Sequence, residues 1–184
     1  MPIGAVQGIE PGHTFKSRRE LYDLGVHRAL QAGIVGRGEE GAESIVLSGG
    51  YVDDEDYGAV VVYTGEGGRD PNTGRQVADQ EFKRGNLALV TSSLNGLPVR
   101  IVRGSRHRSP HSPSEGYSYD GQFAVESYWT DIGDDGHRIC RFRLSALEEA
   151  NPVLVQSGEA TDEVHEAVRR TKTTVQRIVR DTAL

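Results

Sequence analysis

The stretch from residue 48 to residue 70 constrains the fold more than any other part of the chain. Glycines flank it at both ends, an acidic turn occupies residues 53–56, and a β-branched run follows at residues 59–64. Glycine allows tight turns and close approach of the backbone to a ligand, and β-branched runs favour strands. Such a stretch predicts short strands joined by turns.

The composition agrees with a turn-rich protein, since 23 of the 184 residues are glycine and 36% are hydrophobic. This length suits one domain with a core and an appendage. We expect an α+β, β-dominated domain at residues 1–150, built on a twisted, barrel-like sheet with a few short helices. Residues 151–184 are predicted to be a linker and an amphipathic C-terminal helix, whose apolar stripe is compatible with a homodimer.

Several protein classes are disfavoured. No apolar run is long enough to span a membrane, and residues 1–20 lack the apolar core of a signal peptide. The single cysteine, Cys140, suits a core position in a cytoplasmic protein. The net charge of −6 argues weakly against nucleic acid, although a local basic stripe can still bind phosphate. We expect no cofactor, no metal and no catalytic residues in this chain.

Local patterns predict individual elements. Ser17 followed by Glu20 is typical of a helix start, and residues 77–84 are expected to be helical, with an extension to residue 92. The pair at residues 95–96, Asn-Gly, favours a hairpin turn. Residues 99–103 alternate apolar and basic side chains, which predicts a half-buried strand with its arginines outward.

The residues of the central stretch suit a flat heterocycle that carries an amino group. Tyr51 and Tyr63 could stack on its two faces, and Asp54 could accept a hydrogen bond from its amine. An acid at this place favours cytosine over thymine, because it would repel the thymine O4. A second interpretation stays open at this point: the tyrosines could be a cross-strand packing pair beside a solvated acidic turn.

An ordered set of short motifs resembles the SRA domain, also called the YDG domain, over roughly residues 10–147. The set comprises Gly25-Val-His-Arg28, Gly33-Ile34, Ser48-Gly-Gly-Tyr51, Asp54, Tyr63-Thr-Gly65, Gly67-Gly-Arg-Asp70, Val99-Arg-Ile-Val-Arg103 and Tyr119-Asp-Gly121. The resemblance implies a crescent-shaped β-barrel that recognises 5-methylcytosine in double-stranded DNA by flipping the base out of the helix.

The resemblance also implies roles for single residues. Tyr51 and Tyr63 would stack on the base, Asp54 and the Thr64 carbonyl would accept from the amine, and backbone groups around Ser48, Gly49 and Gly50 would donate to the ring. Glu66 stands where the family has a small residue that lines the cavity for the methyl group, so its long side chain would either turn outward or widen the pocket towards 5-hydroxymethylcytosine. The loops that enter the DNA would carry Gln31, Gly33, Arg75 and Gln76. We interpret Tyr119-Asp-Gly121 as structural.

The two DNA-entering loops also depart from the family pattern. Gln31 stands where the eukaryotic readers of hemimethylated DNA have a valine, and residues 74–76 replace an Asn-Lys-Arg run. The sequence therefore predicts a relaxed sequence context. Contacts to phosphate are predicted for a basic set, with a solubilising surface as the alternative. The set is Arg28, Arg100, Arg103, Arg106 and Arg108.

The sequence also offers features of other functions. The tail resembles the connector to HNH nuclease domains in bacterial modification-dependent restriction enzymes, which suggests a recognition half whose nuclease is fused or supplied by a partner. Asp70, Glu81 and Lys83 mimic a metal-dependent nuclease pattern that is common by chance. The pair His107 and His111 is a poor zinc site, because the intervening Pro110 disfavours a helix. A protein-interaction domain without base flipping is the blandest alternative.

Overall fold

One mixed sheet organises the computed structural model, which describes residues 2–70 and 72–147. Its strands run in the order β2-β3-β6-β7-β8-β5-β4, with β1 paired to β7. The strands are β1 (Thr14–Phe15), β2 (Ile34–Arg37), β3 (Gly41–Leu47), β4 (Glu55–Asp56), β5 (Val60–Thr64), β6 (Val99–Gly104), β7 (Tyr117–Ile132) and β8 (Arg138–Ala146). The helices are α1 (Arg18–Asp23) and α2 (Gly85–Asn95), with a 3-10 turn at Ser105–His107.

The β-dominated α+β class is confirmed, and the described sheet is open, ending at β2 and β4. Its long strand β7 pairs antiparallel with β1, β6 and β8, while β3 and β6 are parallel. The turn between β7 and β8 is closed by the Gly133 N–H, which donates to the His137 carbonyl at 2.9 Å. The turn thereby brings β8 beside β5, the strand that carries Tyr63 and Thr64.

The core lies on both faces of the sheet. All seven residues of β3 are buried, and its side chains alternate between two hydrophobic clusters. Ile45 and Leu47 belong to the larger cluster with α2, and Val46 belongs to the smaller cluster with α1. Successive side chains of a strand point to opposite faces, so the two clusters cover the two sides of β3. Cys140 is buried in the larger cluster, as predicted.

The predicted start of α1 is confirmed. The Ser17 side-chain oxygen accepts from the Glu20 N–H at 3.2 Å, and the Glu20 carboxylate accepts from the Lys16 N–H at 2.7 Å. These bonds satisfy two backbone donors that the helix itself leaves without partners. They also hold residues 16–18 in one place beside β1.

The helix predicted from residue 77 was placed too early. Residues 77–84 are irregular because their polar groups bond to the sheet. The Gln80 side chain donates to the Gly65 carbonyl and accepts from the Cys140 N–H, at 2.8 and 2.9 Å. The expected hairpin at residue 96 was also wrong: Gly96 ends α2 in the left-handed conformation, with φ of 63°. A glycine in the left-handed conformation occurs both in hairpin turns and at the ends of helices, so the Asn-Gly pair does not distinguish them.

The strand predicted at residues 99–103 is confirmed, but its arginines do not point outward. Every residue of β6 is buried, with Arg100 1% and Arg103 4% exposed. The reason is position, since β6 lies between β3 and β7 and is covered on both faces. Alternation along a strand separates two faces but does not reveal whether one of them meets water.

Neither described helix is long and apolar enough to cross a membrane. Residues 148–184 lie outside the described part of the chain. The domain boundary at residue 150, the C-terminal helix and the homodimer therefore stay predictions.

Candidate functional site

An open cavity of about 1040 Å³ lies between the loop that joins β3 to β4 and the turn that follows β6. Small-molecule sites commonly enclose about 300–1,000 Å³, so this space can hold a flat ring with room at its mouth. The loop supplies Ser48, Gly49, Gly50, Tyr51, Val52 and Asp54, the turn supplies Ser105, Arg106, His107 and Arg108, and Arg69 completes the lining. The structure therefore brings together most of the pocket residues that the sequence predicts.

Gly49 allows these two segments to meet. Its φ is +71°, and a Cβ at this position would lie 2.4 Å from the Arg106 carbonyl oxygen. Any other residue would force the loop away from the turn. The glycines of residues 49–50 therefore serve close packing of the cavity wall, in addition to the ligand contact that the resemblance implies.

Asp54 is oriented by the strand behind it. Its Oδ1 accepts from the Thr64 N–H at 2.7 Å. Burial raises the pKa of the Asp54 carboxyl to about 6, although the hydrogen bonds from Thr64 and the nearby cations oppose the shift. A carboxylate held in this way is a ready acceptor for an amine that enters the cavity.

Arg141 fixes the strand and loop that hold Asp54. Its guanidinium donates to the Thr64 hydroxyl at 3.0 Å and to the Asp53 carbonyl. It also pairs with Glu55 at 2.5 Å. β8 thereby positions the residues on both sides of Asp54. Sequence reasoning missed Arg141, since nothing in its own neighbourhood distinguishes it from other arginines on a strand.

The two tyrosines differ in setting. Tyr51 is half-buried in the loop and lines the cavity, with the Arg69 guanidinium carbon 5.4 Å from its ring centre. Tyr63 lies in β5 and is 2% exposed. Because Tyr51 is outside any strand, the cross-strand packing pair is excluded. Burial, followed by Asp54 and Tyr51, raises the pKa of Tyr63.

Glu66 turns towards the start of α2. Its Oε1 accepts from the Gly85 N–H at 3.0 Å, where the helix dipole favours a negative charge. The Asn86 side chain bonds to both backbone groups of Glu66, at 2.8 and 2.9 Å. The negative charge of this carboxylate also helps to raise the pKa values of Tyr51 and Tyr63.

The loop that carries Gln31 is exposed at its tip and held through its carbonyls. Arg18 donates to the carbonyls of Leu30 and Ala32, and His27 Nε2 lies 3.0 Å from the Ala32 oxygen. The neutral form of His27 dominates because burial lowers its pKa to about 3. At the base of the loop, a Cβ on Gly33 would lie 2.7 Å from the Tyr63 hydroxyl oxygen. The base of this loop therefore packs against the Tyr63 hydroxyl.

The second predicted loop, residues 69–76, is exposed and attached to the turn after β7. Asp135 pairs with Arg75 at 3.3 Å and accepts from the Gln76 N–H at 3.0 Å. Arg69 closes the loop by donating to the Gly74 carbonyl at 2.6 Å. Arg75 and Gln76 thus lie on a braced hairpin, away from the described lining of the cavity.

Two of the five predicted phosphate contacts are wrong. Arg100 donates to the carbonyls of Val26 and Gly4, at 3.0 and 2.6 Å, and is buried. Arg103 is buried between the carboxylates of Asp56 and Asp120. Neither guanidinium can reach a phosphate, since both serve buried groups. Arg28 is half-exposed but is bound to Glu43 at 2.5 Å. Arg106 and Arg108 remain exposed at the cavity.

A buried ion network underlies the cavity. Arg103 bonds to both oxygens of Asp56 at 2.8 Å and to Asp120 at 2.7 Å. His107 Nε2 lies 3.3 Å from Asp56. Burial opposes ionisation of Asp56, but the bonds from His107 and Arg103 prevail and hold its pKa well below the usual range. The network joins β4, β6 and β7 directly behind the residues that line the cavity.

Tyr119-Asp-Gly121 forms a β-bulge, which confirms its structural interpretation. Arg100 pairs with Gln122 and Val102 pairs with Tyr119, so Asp120 and Gly121 oppose the single residue between the arginine and the valine. The bulge needs the φ of +93° at Gly121. It aims Asp120 at Arg103, while Tyr119 is buried in the smaller cluster.

The weaker enzyme pattern has a structural explanation. Asp70 accepts from the backbone N–H groups of residues 72 and 73, as in an ordinary turn. Glu81 and Lys83 form an exposed ion pair with each other. Within the described residues, no group of three His, Cys, Asp or Glu side chains could hold a metal ion.

A comparison with known protein families agrees with this geometry. Residues 2–150 match the family model described as the SAD/SRA domain. The chain therefore belongs to the SAD/SRA domain family, as its motifs implied.

Its relatives are parts of larger proteins. The chain is 43% identical over 143 residues to the E3 ubiquitin-protein ligase ORTHRUS 5 of Arabidopsis thaliana, covering 74% of this chain and 23% of that protein. It is 37% identical over 177 residues to the E3 ubiquitin-protein ligase UHRF1 of Danio rerio, covering 85% and 23%. The chain thus spans about a quarter of the length of these relatives.

Solved structures show the same fold. A modification-dependent TagI restriction endonuclease superposes with a TM-score of 0.78 at 45% identity, covering 80% of this chain and 53% of that chain. The SUVH5 SRA domain in complex with methylated CHH DNA gives 0.68 at 39% identity, covering 81% and 96%.

Asp54 should make recognition depend on pH. A donated hydrogen bond from a bound amine favours the ionised carboxylate, whereas the free carboxyl has a pKa of about 6. Below pH 6 the proton must leave on binding, so the affinity advantage of the native protein over Asp54→Asn should shrink by up to about tenfold per pH unit. Fluorescence titrations of both proteins with a 5-methylcytosine duplex between pH 5 and pH 8 measure this affinity ratio. A pH-independent ratio contradicts the assigned role.

Proposed function

We propose that this protein binds double-stranded DNA and holds one flipped-out 5-methylcytosine between Tyr51 and Tyr63. Asp54 accepts the hydrogen bond from the exocyclic amine, and backbone groups of residues 48–50 donate to the ring. The observation that carries the proposal is the Asp54 carboxylate, oriented by the Thr64 N–H at 2.7 Å, in an open cavity with Tyr51 on its wall. Family membership supports it, because SUVH5 is seen with methylated DNA.

Stacking on Tyr63 needs a local rearrangement. Tyr63 is 2% exposed, so a base reaches its face only after the groups around it shift. Asp54 keeps its bond to the Thr64 N–H during this change. Arg69, near the Tyr51 ring, exchanges its contact for the base.

The pocket alone roughly balances the cost of flipping. Stacking contributes about 1–3 kcal/mol per aromatic contact, and extrusion of a base costs a few kcal/mol. Most of the net affinity therefore comes from phosphates, for which Arg106 and Arg108 are exposed at the cavity mouth. A methyl group adds only about 0.8 kcal/mol when buried, so the preference for the methylated base depends on a close fit.

Arg108 is the simplest test of a general backbone contact. Arg108→Gln should reduce the slope of log affinity against log salt by about 0.9, equally for methylated and unmethylated duplexes. Both residues have a side chain, so the left-handed backbone at position 108 is equally strained in each. Arg37→Gln, which removes an exposed arginine paired with Glu40, is the matched control. Equal slopes in all three proteins would remove Arg108 from the interface.

The base preference extends, in our proposal, to 5-hydroxymethylcytosine. The Glu66 carboxylate accepts from the Gly85 N–H in this structure. It could accept from a hydroxymethyl group on a bound base. The SUVH5 SRA domain is seen with hydroxymethylated CG DNA. Replacement of the family's valine and Asn-Lys-Arg run by Gln31 and residues 74–76 favours a relaxed sequence context.

A direct test compares duplexes that differ at one cytosine. Fluorescent duplexes carry unmodified, 5-methyl or 5-hydroxymethyl cytosine in CpG and non-CpG contexts, and 2-aminopurine beside the target reports unstacking. Tighter binding of modified DNA in every context, with increased 2-aminopurine fluorescence, is the expected result. Equal affinity for all duplexes without a fluorescence change would refute base flipping.

A second candidate is the recognition part of a modification-dependent restriction endonuclease. The likeness to the TagI enzyme favours it, because this chain covers 53% of that chain. The nuclease would then be fused to this domain or supplied by another chain, in a bacterial cytoplasm where the protein associates with the nucleoid. Cleavage of methylated plasmid by the chain with Mg²⁺ or Mn²⁺, with unmethylated plasmid as control, separates an enzyme from a reader.

A further inference from the structure

A second, smaller cavity adjoins the first. It measures about 350 Å³ and shares Ser48, Ser105 and Arg106 with the lining of the larger cavity. Its remaining wall comes from the start of α1 and from the ends of β6 and β7, including Tyr117. The two cavities are therefore neighbours that share one short wall.

The smaller cavity is strongly basic. Lys16, Arg18 and Arg106 line it, with hydroxyl groups from serines and Tyr117, and none of its described lining residues is Asp or Glu. Three cations and several hydroxyl donors are the set that recognises a phosphate group. A cationic ligand would meet repulsion there.

Arg18 has one donor without a partner. Its Nε and Nη2 atoms donate to the carbonyls of Leu30 and Ala32, but Nη1 is buried and has no hydrogen-bond partner. Burial also lowers the pKa of this guanidinium. A buried donor without a partner costs about 1–3 kcal/mol, so a shift of the guanidinium that brings Nη1 to an anion in the cavity would be favourable.

We propose that this cavity binds a phosphate that flanks the flipped nucleotide, and that Arg18 links this phosphate to the loop of residues 29–32. The proposal rests on the base pocket proposed above. One guanidinium then touches the backbone of the flipped nucleotide and, on its other side, the loop that would enter the DNA. Lys16 and Arg106 complete the phosphate contact without touching that loop.

Selective neutralisation of one phosphate tests the assignment. Duplexes carry a methylphosphonate on the 5′ or the 3′ side of the 5-methylcytosine, and their affinities are compared with the unaltered duplex. One of the two should cost the native protein about tenfold or more, as expected for a charge-assisted contact. The same substitution should cost Arg18→Gln and Lys16→Gln clearly less than it costs the native protein, because each variant has already lost one of the contacts to this phosphate.

The matched control is Arg19→Gln, which removes the same charge from the same helix at an exposed side chain that does not line the cavity. It should respond to the methylphosphonate like the native protein. Lys16→Gln keeps the Arg18 bonds to the loop, so it separates phosphate binding from loop position. Thermal unfolding confirms that each variant is folded.

The outcomes are distinct. If neither methylphosphonate affects the native protein, or if it costs Arg18→Gln and Lys16→Gln as much as the native protein, the phosphate site is refuted while a measured preference for methylated DNA leaves the base pocket standing. If the native protein shows no preference for methylated DNA, the proposed function itself fails. An effect that occurs equally in unmethylated duplexes identifies a general backbone contact and also overturns the proposal.

Discussion

Asp54→Asn should lower the affinity for 5-methylcytosine duplexes by about 10- to 100-fold, with little change in folding. Asparagine can still accept from the Thr64 N–H, so the loop should keep its position. Its amide carries no charge, and its own donors compete with the base amine. A hydrogen bond to a charged group contributes about 1.5–3 kcal/mol, which sets the expected range.

The control for Asp54→Asn removes the same charge elsewhere. Asp23→Asn alters an exposed carboxylate at the end of α1, where it pairs with Arg19, and should leave DNA affinity within about twofold. Unmethylated duplexes measured in parallel report the phosphate contribution, which both variants should preserve. Native affinity in Asp54→Asn, with a folded protein, would remove Asp54 from the recognition site.

Arg103→Met should destabilise the protein by about 3–5 kcal/mol, the cost of leaving buried carboxylates without their cation. Asp56 and Asp120 lose their partner together, and the Gly58 carbonyl loses its donor. Urea denaturation at pH 7 measures the loss. Arg106→Met, at an exposed arginine three residues along the chain, should change the free energy of unfolding by less than about 0.5 kcal/mol.

Neutralising the carboxylates should restore part of that stability. In the background of Arg103→Met, the changes Asp56→Asn and Asp120→Asn remove the unpaired charges, so the triple variant should be more stable than the single variant. Lower pH should also help the single variant, since protonation removes the same charges. A stable Arg103→Met protein would show that the network does not support the fold.

The sequence predicted which residues of the central stretch come together around the cavity. Tyr51 and Asp54 could be found because a short stretch joins glycines, an aromatic ring and a carboxylate, and that combination suits a ligand. Their closeness to Tyr63 depends on the pairing of β4 with β5, which local turn and strand patterns predict well. The cavity wall therefore follows from short-range information.

The arginines of β6 could not be assigned in this way. Arg100 and Arg108 look alike in sequence, but one lies on a central strand and the other follows it on an exposed turn. Which strands flank β6 is decided by pairings with β3 and β7, many residues away. The late start of α2 has the same origin, because Gln80 is committed to β8 and Gly65 through tertiary contacts.

The loop of residues 29–32 is anchored through main-chain oxygens, which Arg18 and His27 hold regardless of the side chains at the tip. The residues Leu30 and Gln31 are exposed, and the anchorage uses the carbonyl of Leu30 and not its side chain. Their identities are therefore free to diverge between relatives, or to be randomised in a library, without loss of the scaffold. If the proposed function holds, new preferences for neighbouring bases should be selectable at these two positions without a change in the base pocket.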